Sequence, residues 1–126
     1  MLAKGNGTIQ EYYKTTKRDS YSSTLNSDYS KIGESPTANG YKKEILRNAF
    51  GDIMTTNSSG SDTTYFCDYH YQAVANGTIY GFLSGGSADN GSRAGFGRLS
   101  STDAPAIANP TFGSRLCYCD KTTILE

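Results

Sequence analysis

The sequence has no Trp, one His, two Met, three Pro and three Cys in 126 residues. It is also short of long aliphatics, since Ile, Leu, Val and Phe together number only 20. Each shortage excludes something. Three cysteines do not build a disulfide-dense scaffold, although one bridge fits. No stretch approaches the roughly 20 apolar residues of a membrane-spanning helix, and the start lacks the apolar core of a secretory signal. No sign of charge dominates, because 12 Lys and Arg balance 12 Asp and Glu. That balance gives no electrostatic reason to expect nucleic acid or an anionic membrane as partner. So few aliphatics with a high net charge would read as disorder, but this chain is neutral and carries ten Tyr. A tyrosine buries a large ring while its hydroxyl stays wet, so a loop-rich folded domain is the expectation.

What is present is small and polar: Ser, Thr, Gly and Asn make up 51 of the 126 residues. The length fits one domain spanning 1–126 with one modest core. The Met-Leu-Ala-Lys start and Leu-Glu end suit a domain taken from a longer protein. Thr8 to Tyr13 alternates as a short strand, with the rest of 1–34 reading as loop. A helix is predicted over about 38–50. Ser35-Pro36 or Asn39 caps it, Tyr41, Ile45, Leu46 and Ala49 share one face, and Gly51 ends it. Asp52 to Thr55 reads as a short strand. Thr63 to Val74 reads as a long one with Tyr65, Cys67, Tyr69, Tyr71 and Ala73 on one face. The Asn76-Gly77 turn would fold it into a hairpin with Thr78 to Ser84. Further short strands are expected near Gly95–Ser100 and Phe112–Cys119. The predicted class is α+β, one main helix with short antiparallel strands and long loops, the sheet lying mostly in the second half.

That second half has a compositional gap. From Ala73 to Asp120, 48 residues contain no Lys, Glu, Gln, Met or Trp, whereas the other 78 contain 15 of them. The outside rate would place about nine in the window. Arg93, Arg98 and Arg115 are present there, so cationic side chains as such are not excluded.

The run Gly85-Gly86-Ser-Ala-Asp-Asn-Gly91-Ser-Arg-Ala94-Gly95, followed by Leu99, Ala104-Pro105 and Gly113-Ser114-Arg115-Leu116, resembles the C-terminal motif of C-type-lectin-like variable proteins. These are the targets of diversity-generating retroelements in bacteria and their phages. The resemblance covers about residues 30–119 and implies a C-type-lectin-like fold with a variable region at about 85–116. In that family, template adenines are randomised during reverse transcription, typically at AAC codons. The resulting codons end in C and never encode Lys, Glu, Gln, Met or Trp but do encode Arg, which matches the gap. The resemblance implies a frame of Gly85, Gly86, Gly91, Ala94, Gly95, Leu99, Gly113, Ser114, Arg115 and Leu116. It implies ligand contact by Ser87, Asp89, Arg93, Gly97, Arg98, Ser100, Thr102, Asp103, Ile107, Asn109 and Thr111, clustered on one exposed face. Arg93 and Arg98 are the expected energetic anchors, because interface hot spots favour Arg and aromatics. Phe96 could join them or point inward. With so few large anchors, weak affinity or multivalent display is expected.

Other chemistries fare worse. Cys67-x-x-His70 and Cys117-x-Cys119 supply four zinc-ligand types, yet residues three apart on a strand point to opposite faces, so Cys67 and His70 would not ligate together. Free thiols or one bridge from Cys67 suit the cysteines better, and no metal or cofactor is expected. His70 sits among tyrosines, and no Gly-x-Ser-x-Gly, His-Glu-x-x-His or phosphate-loop motif occurs, so no enzyme is predicted. The paired carboxylate and amide of a calcium-dependent sugar site are missing from Ala104-Pro105-Ala106 and Asn109-Pro110-Thr111. Tyr65, Tyr69, Tyr71 and Tyr80 form either a sugar-stacking platform or a sheet face packed under loops. The expected role is a receptor-binding domain at a phage tail-fibre tip, homotrimeric in the parent protein, contacting a bacterial surface protein or glycan. It would not insert into a membrane. Alternatives are a bacterial surface adhesin or a structural virion domain without a ligand.

Overall fold

The computed structural model describes residues 1–49, 51–64, 66, 68–86, 88–95, 97–110, 112 and 113. Its strands are β1 (Leu2–Gly5), β2 (Gln10–Lys14), β3 (Ser30–Glu34), β4 (Gly40–Tyr41), β5 (Glu44–Arg47), β6 (Ile53–Asn57), β7 (Tyr69–Gln72), β8 (Ile79–Tyr80), β9 (Leu83–Ser84) and β10 (Leu99–Ser101). They form one sheet in the order β3-β2-β1-β8, a second in the order β4-β7-β10-β9, and the two-stranded pair β5-β6. Among the described residues there is no helix of seven residues or more, only short 3-10 turns at Arg18–Ser20 and Ala88–Arg93. None of their helices is long and apolar enough to cross a membrane.

The α+β expectation with a main helix is therefore overturned, and with it the C-type-lectin-like fold built around that helix. The stretch predicted as helix 38–50 contains β4 and β5 instead. A helix of that length is stable only if its apolar stripe is covered, and this chain has little apolar surface to cover one. Here Ile45 and Leu46 are exposed. The chain turns back at Asn48, whose N–H donates to the Asp52 carbonyl at 3.0 Å and whose carbonyl accepts from Gly51 N–H at 3.0 Å. Gly51 takes φ +85°, the left-handed position of a three-residue hairpin loop. The glycine read as a helix stop does meet a left-handed requirement, but in a turn between strands.

Two further expectations change. The Asn76-Gly77 turn does not close a hairpin, because β7 pairs with β4 and β10 whereas β8 pairs with β1. The first 34 residues, read mostly as loop, supply three of the four strands of the first sheet. The strand expected over Phe112–Cys119 lies almost wholly outside the described residues.

The apolar core is small. Across the first sheet, Gly33, Tyr12, Ala3 and Tyr80 stand directly opposite one another in one row. Met54 from β6 joins them, its Sδ and Cε occupying the space above Gly33 that any side chain there would need. Phe82 meets Tyr12 edge-to-face at 5.2 Å. Lys14 ties β2 to the hairpin through Asp52 at 2.8 Å.

Polar groups join the two larger sheets. Gln10, fully buried on the same face as Tyr12, donates from Nε2 to the Ala73 carbonyl at 2.6 Å and the Ser101 carbonyl at 2.7 Å. Its Oε1 accepts from Ser101 Oγ at 2.6 Å. Gln72 donates to the Pro36 carbonyl at 2.7 Å and exchanges bonds with Asn39. Among the described residues eight buried polar side chains stand against six apolar ones, counting Pro36, so this interior depends heavily on hydrogen bonds.

Candidate functional site

Alternation along β7 decides which side chains reach the surface. His70 and Gln72 point inward and are buried, so Tyr69 and Tyr71 point outward. Tyr41 on β4 stands opposite Tyr69, their rings meeting edge-to-face at 5.0 Å and 88°. Tyr71 follows at 6.1 Å from Tyr69 with a tilted ring and is 39% exposed. Arg93 lies over Tyr69 with its Cζ 4.9 Å from the ring centroid, within cation–π range. Ser92 Oγ and the Tyr41 hydroxyl hydrogen-bond at 2.8 Å, which fastens the 88–93 segment to the rings. The result is a row of three tyrosines capped by an exposed arginine.

A brace lies beneath it. Lys42 Nζ donates to the Gly97 carbonyl at 2.7 Å, and Gly97 N–H donates to Asp68 Oδ1 at 3.0 Å. Burial pulls the Lys42 ammonium below its usual range, opposed by the nearby Asp68 carboxylate. His70, enclosed below the sheet, is pushed down mainly by burial, against a 3.0 Å contact from its Nε2 to Gln72 Oε1. Because Gln72 Nε2 is committed to Pro36, its Oε1 faces the ring, and neutral His70 carries its proton on Nε2. This histidine serves the core.

The sequence-derived positions fall in several environments. Arg93 and Asp89 are exposed on the 88–93 segment beside Tyr69. Ser100 pairs with Tyr71 and shares its face, but at 5% exposure it lies beneath that face. Its Oγ is 3.4 Å from Thr102 Oγ1, which donates to Asp103 Oδ2 at 3.4 Å, so half-buried Thr102 and Asp103 continue from Tyr71. Gly97 is half-buried in the brace, where a side chain would press on the Asp68 carboxylate. Arg98 is half-buried and lines a separate cavity of about 230 Å³ with Phe82, Leu83, Gly85, Gly86 and Phe112, its Nε unpartnered among the described residues. Ile107 and Asn109 are exposed on the 104–110 segment. Ser87 and Thr111 lie outside the described residues, as do Phe96, Cys67, Cys117, Cys119 and the Ser114-Arg115-Leu116 end of the frame.

Tyr41 and Ser92 were not legible as site residues. Tyr41 reads as the apolar face of a helix, and only the pairing of β4 with β7 puts it beside Tyr69. Of the platform tyrosines, Tyr80 belongs to the core and Tyr65 lies outside the described residues. A larger concavity of about 620 Å³ runs past Met1, Lys14, Thr15, Tyr21 and Phe82, where Lys14 is already paired with Asp52. Compared with known protein families, with curated proteins and with solved structures, the chain matches none.

Proposed function

We propose that this chain is a recognition domain whose Tyr41–Tyr69–Tyr71 face, with Arg93, takes a receptor. The stretch over about 85–116, whose 88–93 segment meets that face through Ser92 and Arg93, is the part diversified between sister copies. The setting that suits it is the tip of a phage tail fibre, and the receptor is a protein or glycan of a bacterial surface. The observation that carries the reading is the Arg93 guanidinium seated over an open row of tyrosines. Tyr supplies large contact area at little entropic cost and Arg supplies directed, charged bonds, and both are enriched among the residues that dominate interface energetics. The absence of Lys, Glu, Gln, Met and Trp from Ala73 to Asp120 supports diversification through adenine positions. Gly97 and Ser100 act as support for the face, while Asp89, Arg93, Thr102, Asp103, Ile107 and Asn109 offer their side chains to the ligand.

Two measurements test this. Titration of labelled protein onto intact cells of the host bacterium should give saturable binding that Arg93→Ala weakens about tenfold or more, with thermal stability unchanged. Binding that survives both Arg93→Ala and Tyr71→Ala removes this face from the mechanism. Sister copies of the gene should differ at adenine-derived positions within 87–111, and differences spread evenly along the chain would end the diversification reading.

A further inference from the structure

The β5 strand is exposed at all four residues, and among the described residues no strand pairs with its outer edge. The hairpin is anchored through β6 and the turn, by Met54 above Gly33 and by Asp52 on Lys14, which leaves β5 on the rim. Ile45, Leu46 and, across from Arg47, Ile53 are 40%, 59% and 68% exposed. Proteins usually blunt such an edge with a bulge, a proline, charged side chains or a very short strand. Glu44 and Arg47 put charges at the two ends of this four-residue strand but none at its centre. Here the register shift leaves Thr56 as the extra residue on β6, so β5 itself runs regular, with two aliphatics at its centre.

We propose that β5 is a self-pairing edge, taking the β5 strand of a second copy of this chain antiparallel about a two-fold axis at Leu46. The inference does not depend on what the tyrosine face binds. Asn48 bonds inward to Asp52, so strand alternation turns the N–H and C=O of Arg47 and Ile45 outward. A two-fold pairing must set outward groups against outward groups, which permits only registers centred on a residue. Centring on Ile45 would set Arg47 against the partner's Lys43, a like charge whose N–H is already given to Asn57. Centring on Arg47 would oppose the two arginines. Centring on Leu46 sets Arg47 against the partner's Ile45, and each such pair exchanges both main-chain bonds. Charge therefore selects one register.

That register also suits the side chains. Leu46 stands opposite Met54 within the chain and opposite its own copy across the axis. One face of the four-stranded sheet then carries an unbroken Met-Leu-Leu-Met row. On the other face the Arg47 stem covers the partner's Ile45 beside Ile53. A stable dimer buries about 1,200 Å² or more in total, and a four-residue edge supplies only part of that, so the pairing is weak and concentration-dependent.

Sedimentation equilibrium from about 10 µM to about 1 mM should show a growing dimer fraction. Leu46→Lys should abolish it while keeping the wild-type thermal midpoint. Cysteine scanning reads the register directly. At the axis the two Leu46 Cα atoms lie about 4.5 Å apart, within disulfide reach, whereas the two Ile45 Cα atoms lie about 8 Å apart, beyond it. Under mild oxidation Leu46→Cys should cross-link above the level the native cysteines give, and Ile45→Cys should not. A wild-type chain that stays monomeric at 1 mM, a dimer that survives Leu46→Lys, or equal cross-linking at 45 and 46 would each overturn the proposal.

Discussion

Replacing Gln10 by Leu tests whether a polar clamp joins the two larger sheets. The side chain is fully buried and makes three bonds: Nε2 to the Ala73 carbonyl, Nε2 to the Ser101 carbonyl, and Oε1 from Ser101 Oγ. Leucine nearly matches the volume, so little cavity forms, and what is lost is the bonding. Each bond is worth about 1 kcal/mol net, and a partner left buried and unpaired costs about 1–3 kcal/mol. The Ser101 carbonyl keeps a 3.4 Å bond from Ala73 N–H, which limits its penalty, but the Ser101 hydroxyl loses its acceptor. The expected loss is about 3–5 kcal/mol, a large part of the roughly 5–15 kcal/mol that holds a domain folded. Urea titration followed by far-UV circular dichroism should show it, with a thermal midpoint lowered by roughly 10–20 °C. Adding Ser101→Ala should recover about 1 kcal/mol, because both ends of one bond are then removed together. A Gln10→Leu protein within about 1 kcal/mol of wild type would refute the claim that these bonds carry the sheet-to-sheet contact.

Two further outcomes follow from the same interior. Burial lowers the His70 pKa in the folded chain below its ordinary 6.5, so the unfolded chain takes the proton first as the pH falls. The contribution of His70 is complete above pH 6.5, declines as pH falls from there toward the folded value, and levels off below it. Urea midpoints from pH 8 to 5 should show this slope, and His70→Asn should flatten it; an unchanged slope in that variant would assign it to other groups. Met54→Ala empties the seat above Gly33 and should cost about 2–4 kcal/mol by chemical denaturation, whereas a loss under about 1 kcal/mol would mean that the hairpin is not keyed to the first sheet there.

Composition alone made the interior legible in kind. With so few long aliphatics the core had to be small and tyrosine-bearing, and Tyr12 and Tyr80 are both in it. Turn chemistry was legible too. Gly51 and Gly77 take positive φ where the sequence shows punctuation, because that need is local to the residue. Of the long strand expected over Thr63 to Val74, the described residues form strand only at Tyr69–Gln72, where Tyr69 and Tyr71 do share a face.

Pairing was not legible. The residues Tyr41, Ile45, Leu46 and Ala49 satisfy a helical stripe, yet nothing within 38–50 reveals that Met54 seats above Gly33 or that Asn48 closes a turn onto Asp52. Those contacts decide for strand, since a short segment takes the form that lets its neighbours bury what they must. The site followed the same logic. Tyr69 and Tyr71 could be placed on one face from sequence, but Tyr41 joins them only through the β4-β7 register, and Arg93 only through Ser92 on Tyr41. Sequence by itself determined the conformations that a residue and its nearest neighbours fix. Tertiary structure decided which strands pair and which side chains meet, because those depend on contacts between residues far apart in the chain, where any of several locally equal choices becomes the stable one only once its partner is in place.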